Sequence, residues 1–187
     1  MEGMPARPKA LILYNGTVTI LRHANAVEAA DDSYEADKAR DLSRLGRAQA
    51  DERRERLRNP TYDLVLSSPA IRARKTAERV AKVTGSDVVL LPELYWSAGT
   101  EPTPKLGYEA AIRRAIPECF GDREQTFRLL ISTHAVLDTA LGRALLPENE
   151  SGAHFKLAHL ELEECEGFSV LFNEGRYGGL ILHQQRT

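Results

Sequence analysis

The sequence predicts one α/β domain built as a three-layer sandwich: a mostly parallel central sheet flanked by helices, with a C-terminal hairpin at the sheet edge. Three observations lead there. From Thr17 onward, β-branched apolar runs alternate with helical stretches, the order that successive parallel βα units leave in a chain. The last quarter instead holds two apolar runs on either side of Asn173-Glu174-Gly175, a hairpin signal. The 187 residues, 42% of them hydrophobic, can fill one core without disulfide or metal staples. Residues 1–187 are therefore read as a single domain. Residues 1–15 stand as an N-terminal extension that the pattern leaves as strand or loop.

The elements follow in order. Gly16 to Leu21 alternates small or polar with apolar residues and reads as the first strand, ending at Arg22-His23. Glu28 to Arg40 is polar and rich in Asp and Ala, and is expected to be a loop or lid. Ser43 caps a helix that runs to Arg56, and Asn59-Pro60 ends it. Asp63 to Leu66 is a short buried strand. Ser68 as cap and Pro69 as first helical residue predict a helix to about Val83, closed by Gly85. Asp87 to Leu91 is a third strand, stopped by Pro92. After a loop with Trp96, Gly99, Pro102 and Pro104, residues 108–116 read as helix, 127–132 as strand and 135–146 as helix. Leu157 to Glu163 has no clear period. Gly167–Phe172 and Gly179–His183 are the hairpin strands.

Composition removes several functional classes. Twenty-five Lys and Arg against 27 Asp and Glu leave a net charge of -2, which gives no footprint for nucleic acid or an anionic membrane. The only cysteines, Cys119 and Cys165, lie far apart and outside any zinc or redox spacing. A reducing, cytoplasmic setting is the simplest reading. The run Ala10 to Tyr14 is too short for a signal core or a membrane span.

The chemistry collects at strand ends. In an open α/β sheet the carboxyl ends of parallel strands face the ligand crevice. Arg22-His23 follows the first strand, Arg72 sits early in the helix after the second, and Thr133-His134 follows a later one. An arginine fork matches phosphate oxygens, and a neutral imidazole nitrogen can attack phosphorus. The helix beginning near Ser67-Ser68-Pro69 aims free backbone N–H groups at the same rim. Together these residues describe an anion pocket with one nucleophile, two arginine forks and a second imidazole to donate to phosphoryl oxygens.

The chain resembles the histidine phosphatase superfamily, the phosphoglycerate mutase-like group, and within it the SixA-like phosphohistidine phosphatase branch. The resemblance is carried by Leu21-Arg22-His23-Ala24, then by Leu42-Ser43, Gly46 and Gln49-Ala50. Asp63, Val65-Leu66-Ser67-Ser68-Pro69-Ala70, Arg72-Ala73 and Thr76-Ala77 follow, then Leu91-Pro92-Glu93-Leu94 and Ser132-Thr133-His134. It implies a phosphatase with His23 as nucleophile, Arg22, Arg72 and His134 holding the phosphate, and no metal or cofactor. His23 must then be neutral at the attacking nitrogen, so its other nitrogen should donate to a backbone carbonyl. Glu93 stands where many members keep the glutamate that protonates the leaving oxygen; it is either that acid or a rim carboxylate. An alkoxide leaving group needs the proton far more than a phosphoramidate imidazole does. The implied partner is a phosphorylated small molecule or a phosphohistidine-bearing protein, with residues 28–40 and 95–105 as substrate walls. A mutase-like phosphotransferase or small-metabolite phosphatase is the alternative, and a non-catalytic phosphate-binding module a third reading.

Other conspicuous residues take plainer roles. His154, His159 and His183 have no metal spacing and are read as structural or surface. Arg44, Arg47, Arg74 and Lys75 are read as solvated helix charge, the cysteines as small apolar fillers, and Trp96 as a loop anchor or substrate wall.

Overall fold

The computed structural model describes residues 15–58, 61–95, 126–135 and 137–184. Its six strands are β1 (Gly16–Arg22), β2 (Leu64–Ser67), β3 (Val88–Leu90), β4 (Phe127–Thr133), β5 (Gly167–Asn173) and β6 (Arg176–His183), in the sheet order β3-β2-β4-β1-β5-β6. The first four are mutually parallel; β5 runs antiparallel to β1 and β6 antiparallel to β5. The sheet is thus mostly parallel with the hairpin at one edge. Its register positions the site: Arg22 lies opposite Thr133, and Ser67 opposite Ser132, so three strands end at one level.

Side-chain alternation sends each strand's apolar residues to two cores. Val18, Ile20, Leu66, Leu129 and Ile131 face one side, where Leu141 and Leu145 of α4 (Leu137–Leu145) and Leu157 of α5 (Ser151–Ala158) cover them. Leu21, Val65 and Leu130 face the other. There Ala50 of α2 (Arg44–Arg56) and Ala77 and Val80 of α3 (Ile71–Ala81) complete the third layer. Ile20, Leu129, Ile131 and Phe168 are fully buried, each contributing about 1.5–3 kcal/mol. Helix α3 shows why a charged sequence packs so well: Arg72, Ala73, Thr76, Ala77, Val80 and Ala81 recur at helical spacing on its buried face.

Four local expectations are corrected. Within the polar stretch 28–40, Tyr34–Ala39 form a short helix, α1, because the Ser33 side chain accepts from the Ala36 N–H at its start. The third helix begins at Ile71 with Ala70 as its cap; Ser68 lies two residues before that cap, where its hydroxyl accepts from the Ala70 N–H (3.2 Å) and also meets His134 across the rim. Its end is Lys82 in the left-handed conformation, and Gly85 opens a 3-10 turn (Gly85–Asp87). Where no period was legible, α5 occupies Ser151–Ala158 and the following residues to Glu163 are irregular. The predicted helix at 108–116, Trp96, Cys119 and the loop from residue 96 lie outside the described residues. Cys165 is fully buried, which pushes its thiol up to about 12, as a filler requires.

Candidate active site

The loop after β1 is held rigidly before any side chain enters the argument. The His23 N–H donates to the Thr133 carbonyl (2.9 Å), and the Cys165 N–H donates to the His23 carbonyl (3.1 Å). The Ala24 N–H donates to Thr76 Oγ1 (3.0 Å), whose hydroxyl donates back to the Arg72 carbonyl (2.7 Å). Asn25 is gripped by the Leu42-to-Gln49 motif: its N–H donates to Gln49 Oε1 (2.8 Å), and the Ser43 hydroxyl donates to its Oδ1 (2.5 Å). Gly46 allows this, since a Cβ there would lie 1.9 Å from the Asn25 carbonyl oxygen.

On this frame the His23 ring is oriented from both sides. Nδ1 lies 2.9 Å from the Ala24 carbonyl and can only donate to it, which leaves Nε2 as the lone-pair nitrogen. Arg72 Nε donates to that Nε2 at 3.1 Å. Burial, then the positive charges of Arg72 and Arg22, outweigh the Ala24 hydrogen bond and lower the His23 pKa to about 3. The ring is therefore neutral throughout ordinary pH.

The second imidazole lies against the first, with ring centroids 5.1 Å apart. His134 Nε2 is 2.8 Å from the Ser68 hydroxyl, and its Nδ1 is 3.5 Å from Arg72 Nη2. Burial first, then His23 and the two arginines, holds its pKa well below the usual histidine range. A serine hydroxyl can accept or donate, so Ser68 can support either neutral tautomer, including the one that presents Nδ1–H to a phosphoryl oxygen. Arg22 completes the cationic set; its Nη1 donates to the Leu162 carbonyl (2.5 Å), while its Nε is buried and without a partner.

The structure thus brings together Arg22, His23, Arg72 and His134. Glu93 lies in a 3-10 turn (Pro92–Leu94), half-buried; Arg72 meets both imidazoles through hydrogen bonds, and Arg22 acts on them through its charge. Thr133 Oγ1 donates to the Leu94 carbonyl (3.0 Å), which ties that turn to the end of β4.

Four residues escaped the sequence reading. Ser68 was assigned to a cap. Tyr95 stacks edge-on against His134 with centroids 5.4 Å apart, and its hydroxyl donates to Asp37 Oδ2 (2.8 Å). Asp37, on α1, takes both terminal nitrogens of Arg72: Nη2 donates to Oδ2 (2.9 Å) and Nη1 to the Asp37 carbonyl. Burial opposes its ionisation, but the Tyr95 and Arg72 hydrogen bonds prevail and hold its carboxyl below the usual range. Asp138, one turn after His134, is 2% exposed with Oδ2 unpartnered, and lines a cavity of about 390 Å³ with Arg22 and Leu160 to Glu163. The one carboxylate in a helix whose only other charge is Arg143 was the available signal for it.

Asp138 carries a stability consequence. Burial raises its pKa to about 6, against the weaker opposing pull of the Thr139 N–H and Arg22. The folded state therefore binds this proton more tightly than the unfolded chain. The contribution is fully present below about pH 3.8 and is lost as pH rises through 6. Asp138→Asn, neutral at all pH, is expected to gain about 3 kcal/mol at most at pH 8 and nothing below pH 4. Thermal unfolding of both proteins across that range measures it. The lowered histidines act in the opposite sense: the unfolded chain gains their protons below about pH 6.5, so they weaken the fold in acid.

The His23 lone pair and the Arg72 guanidinium that faces it lie within a segment that matches one family model, described as Histidine phosphatase superfamily (branch 1), over residues 18–97. Residues 18–97 are thus similar to the histidine phosphatase superfamily. The match includes Arg22, His23, Arg72 and Glu93, while His134 and the hairpin lie beyond it. The histidine phosphatase fold extends over them. A structure assigned as the phosphohistidine phosphatase SixA from Agrobacterium tumefaciens is similar with a TM-score of 0.59 at 24% identity, over 88% of this chain and 96% of that one. SixA complexed with tungstate gives 0.56 at 21% identity, covering 89% and 96%. A phosphoglycerate mutase from Bacillus anthracis gives 0.60 at 16% identity, covering 88% and 92%. No curated protein sequence matches the chain. Among the described residues no helix is long and apolar enough to cross a membrane.

Proposed function

We propose that this chain is a metal-independent cytoplasmic phosphatase that hydrolyses a phosphomonoester or a protein phosphohistidine through a phosphohistidine on His23. The observation that carries the reading is the fixed tautomer: the Ala24 carbonyl claims the Nδ1 proton, leaving a neutral Nε2 beside the Arg72 guanidinium. In the first step Nε2 gives up the hydrogen bond it accepts from Arg72 Nε, and its lone pair forms the N–P bond as the bond from phosphorus to the leaving group breaks. The leaving group departs with the electron pair and takes a proton, from Glu93 when it is an alkoxide. Arg22 and Arg72 offset the charge on the equatorial oxygens, as a bound cation would otherwise do, and the neutral His134 donates a hydrogen bond to one of them. In the second step water attacks in line, the P–N bond breaks, its electrons return to Nε2, and the water's proton leaves to solvent. Supporting Glu93 is its place two residues before Tyr95, in the turn that sets Tyr95 against His134. The fold likeness to SixA structures supports phosphohistidine as a substrate.

Three substrates test this: an aryl phosphate, a phosphohistidine peptide, and phosphoglycerate primed with its bisphosphate. The reading expects inorganic phosphate from either of the first two. Positional transfer without phosphate release would instead make the protein a mutase. No turnover and no phosphoenzyme with any of them would make it a binding module.

A further inference from the structure

The fork that the proposed reaction needs for phosphate is already taken by the chain itself. Arg72 is 3% exposed, and all three of its guanidinium nitrogens contact the protein: Nε meets His23, while Nη1 and Nη2 meet the Asp37 carbonyl and carboxylate. Tyr95 holds the same carboxylate oxygen from its other side. We propose that α1 is an internal competitor for the substrate's phosphoryl group, with Asp37 as the residue that sets how strongly phosphate must bind to enter. The proposal rests on the phosphatase reading of this site.

The chemistry is that of two anions and one guanidinium. A carboxylate and a phosphoryl group both match the planar donor edge of arginine, and both gain from charge-assisted hydrogen bonds there. Phosphate must therefore displace the Asp37 carboxylate or be held close to it and be repelled. Either outcome weakens binding.

The strap is built to yield. Helix α1 has six residues, none of them buried, and a helix that short has little stability of its own. Beyond Asp37 it is held by the Tyr34 ring edge-on to Tyr95 (5.0 Å) and by Arg40, which donates to the Val27 carbonyl (2.7 Å) and bridges Asp37 (3.3 Å). These contacts are few and half exposed, so α1 can leave without disturbing the core. In the free protein the competent state is then a fraction of the whole, and the apparent affinity is reduced by that fraction.

Asp37→Asn keeps the side chain's size and removes its charge. Titration calorimetry with inorganic phosphate and with tungstate is expected to show about tenfold tighter binding than in the wild type. Arg72→Ala is the control for the site, and thermal unfolding confirms that each variant is folded. Equal or weaker binding by a folded Asp37→Asn, with wild-type binding still dependent on Arg72, overturns the inference and leaves the phosphatase reading intact. No Arg72-dependent binding in any variant removes both. Should Asp37→Asn fail to fold, Tyr95→Phe decides: it frees one side of the carboxylate, and binding a few times tighter supports the proposal while unchanged binding overturns it.

Discussion

Replacing His23 with alanine is expected to lower turnover by roughly 10⁴- to 10⁶-fold, the loss seen when a covalent nucleophile is removed and only binding remains. Wild-type protein incubated briefly with a labelled phosphodonor should carry acid-labile, alkali-stable label, and His23→Ala should carry none. A labelled His23→Ala would move the nucleophile elsewhere. The pH dependence sharpens this. Burial and the neighbouring arginines keep His23 neutral down to about pH 3. Single-turnover phosphorylation should accordingly show no loss centred near 6.5 between pH 5 and 8. A fall with that midpoint would mean that the ring titrates like a solvated histidine, contrary to the geometry around it.

Arg72 has the next largest expected effect because one guanidinium serves several partners. It donates to His23 Nε2, approaches His134 Nδ1 and anchors Asp37. Arg72→Ala is expected to reduce kcat/KM by about 10³-fold or more, the scale for an arginine that stabilises a transferring phosphoryl group. Arg72→Lys restores the charge but offers a point donor in place of a planar fork, and should recover only part of the loss. Steady-state kinetics on all three proteins measure this. A lysine variant equal to the wild type would show that charge alone matters and that the fork geometry does not.

Much of the fold was legible because its signals are local. Ser43 capping a helix that ends at Arg56 was readable from a cap residue and a run of helix formers. The hairpin followed from Asn173-Glu174-Gly175 between apolar runs. The failures were local too, and each has a tertiary cause. Ser68 has the composition of a cap, yet it lies two residues before the cap and its hydroxyl also meets His134, 66 residues away. Tyr34 to Ala39 lacks an apolar face, so periodicity could not find a helix whose one important side chain points at a buried arginine.

The candidate site divides in the same way. Residue types and strand ends were determined by the sequence alone: Arg22-His23, Arg72 and His134 follow apolar runs in an order that parallel pairing must bring to one rim. What those side chains do to one another was decided only by the tertiary structure. The tautomer of His23 depends on which way its ring faces the Ala24 carbonyl. Its neutrality depends on burial and on two arginines, one of them 49 residues distant. The hold of Asp37 on the phosphate fork depends on α1 crossing to α3 and on Tyr95 arriving from the turn before β4. Hydrophobic period and caps act within a few residues, whereas hydrogen bonds and desolvation at this rim join residues 35 to 66 positions apart, and only the packed sheet brings them within reach.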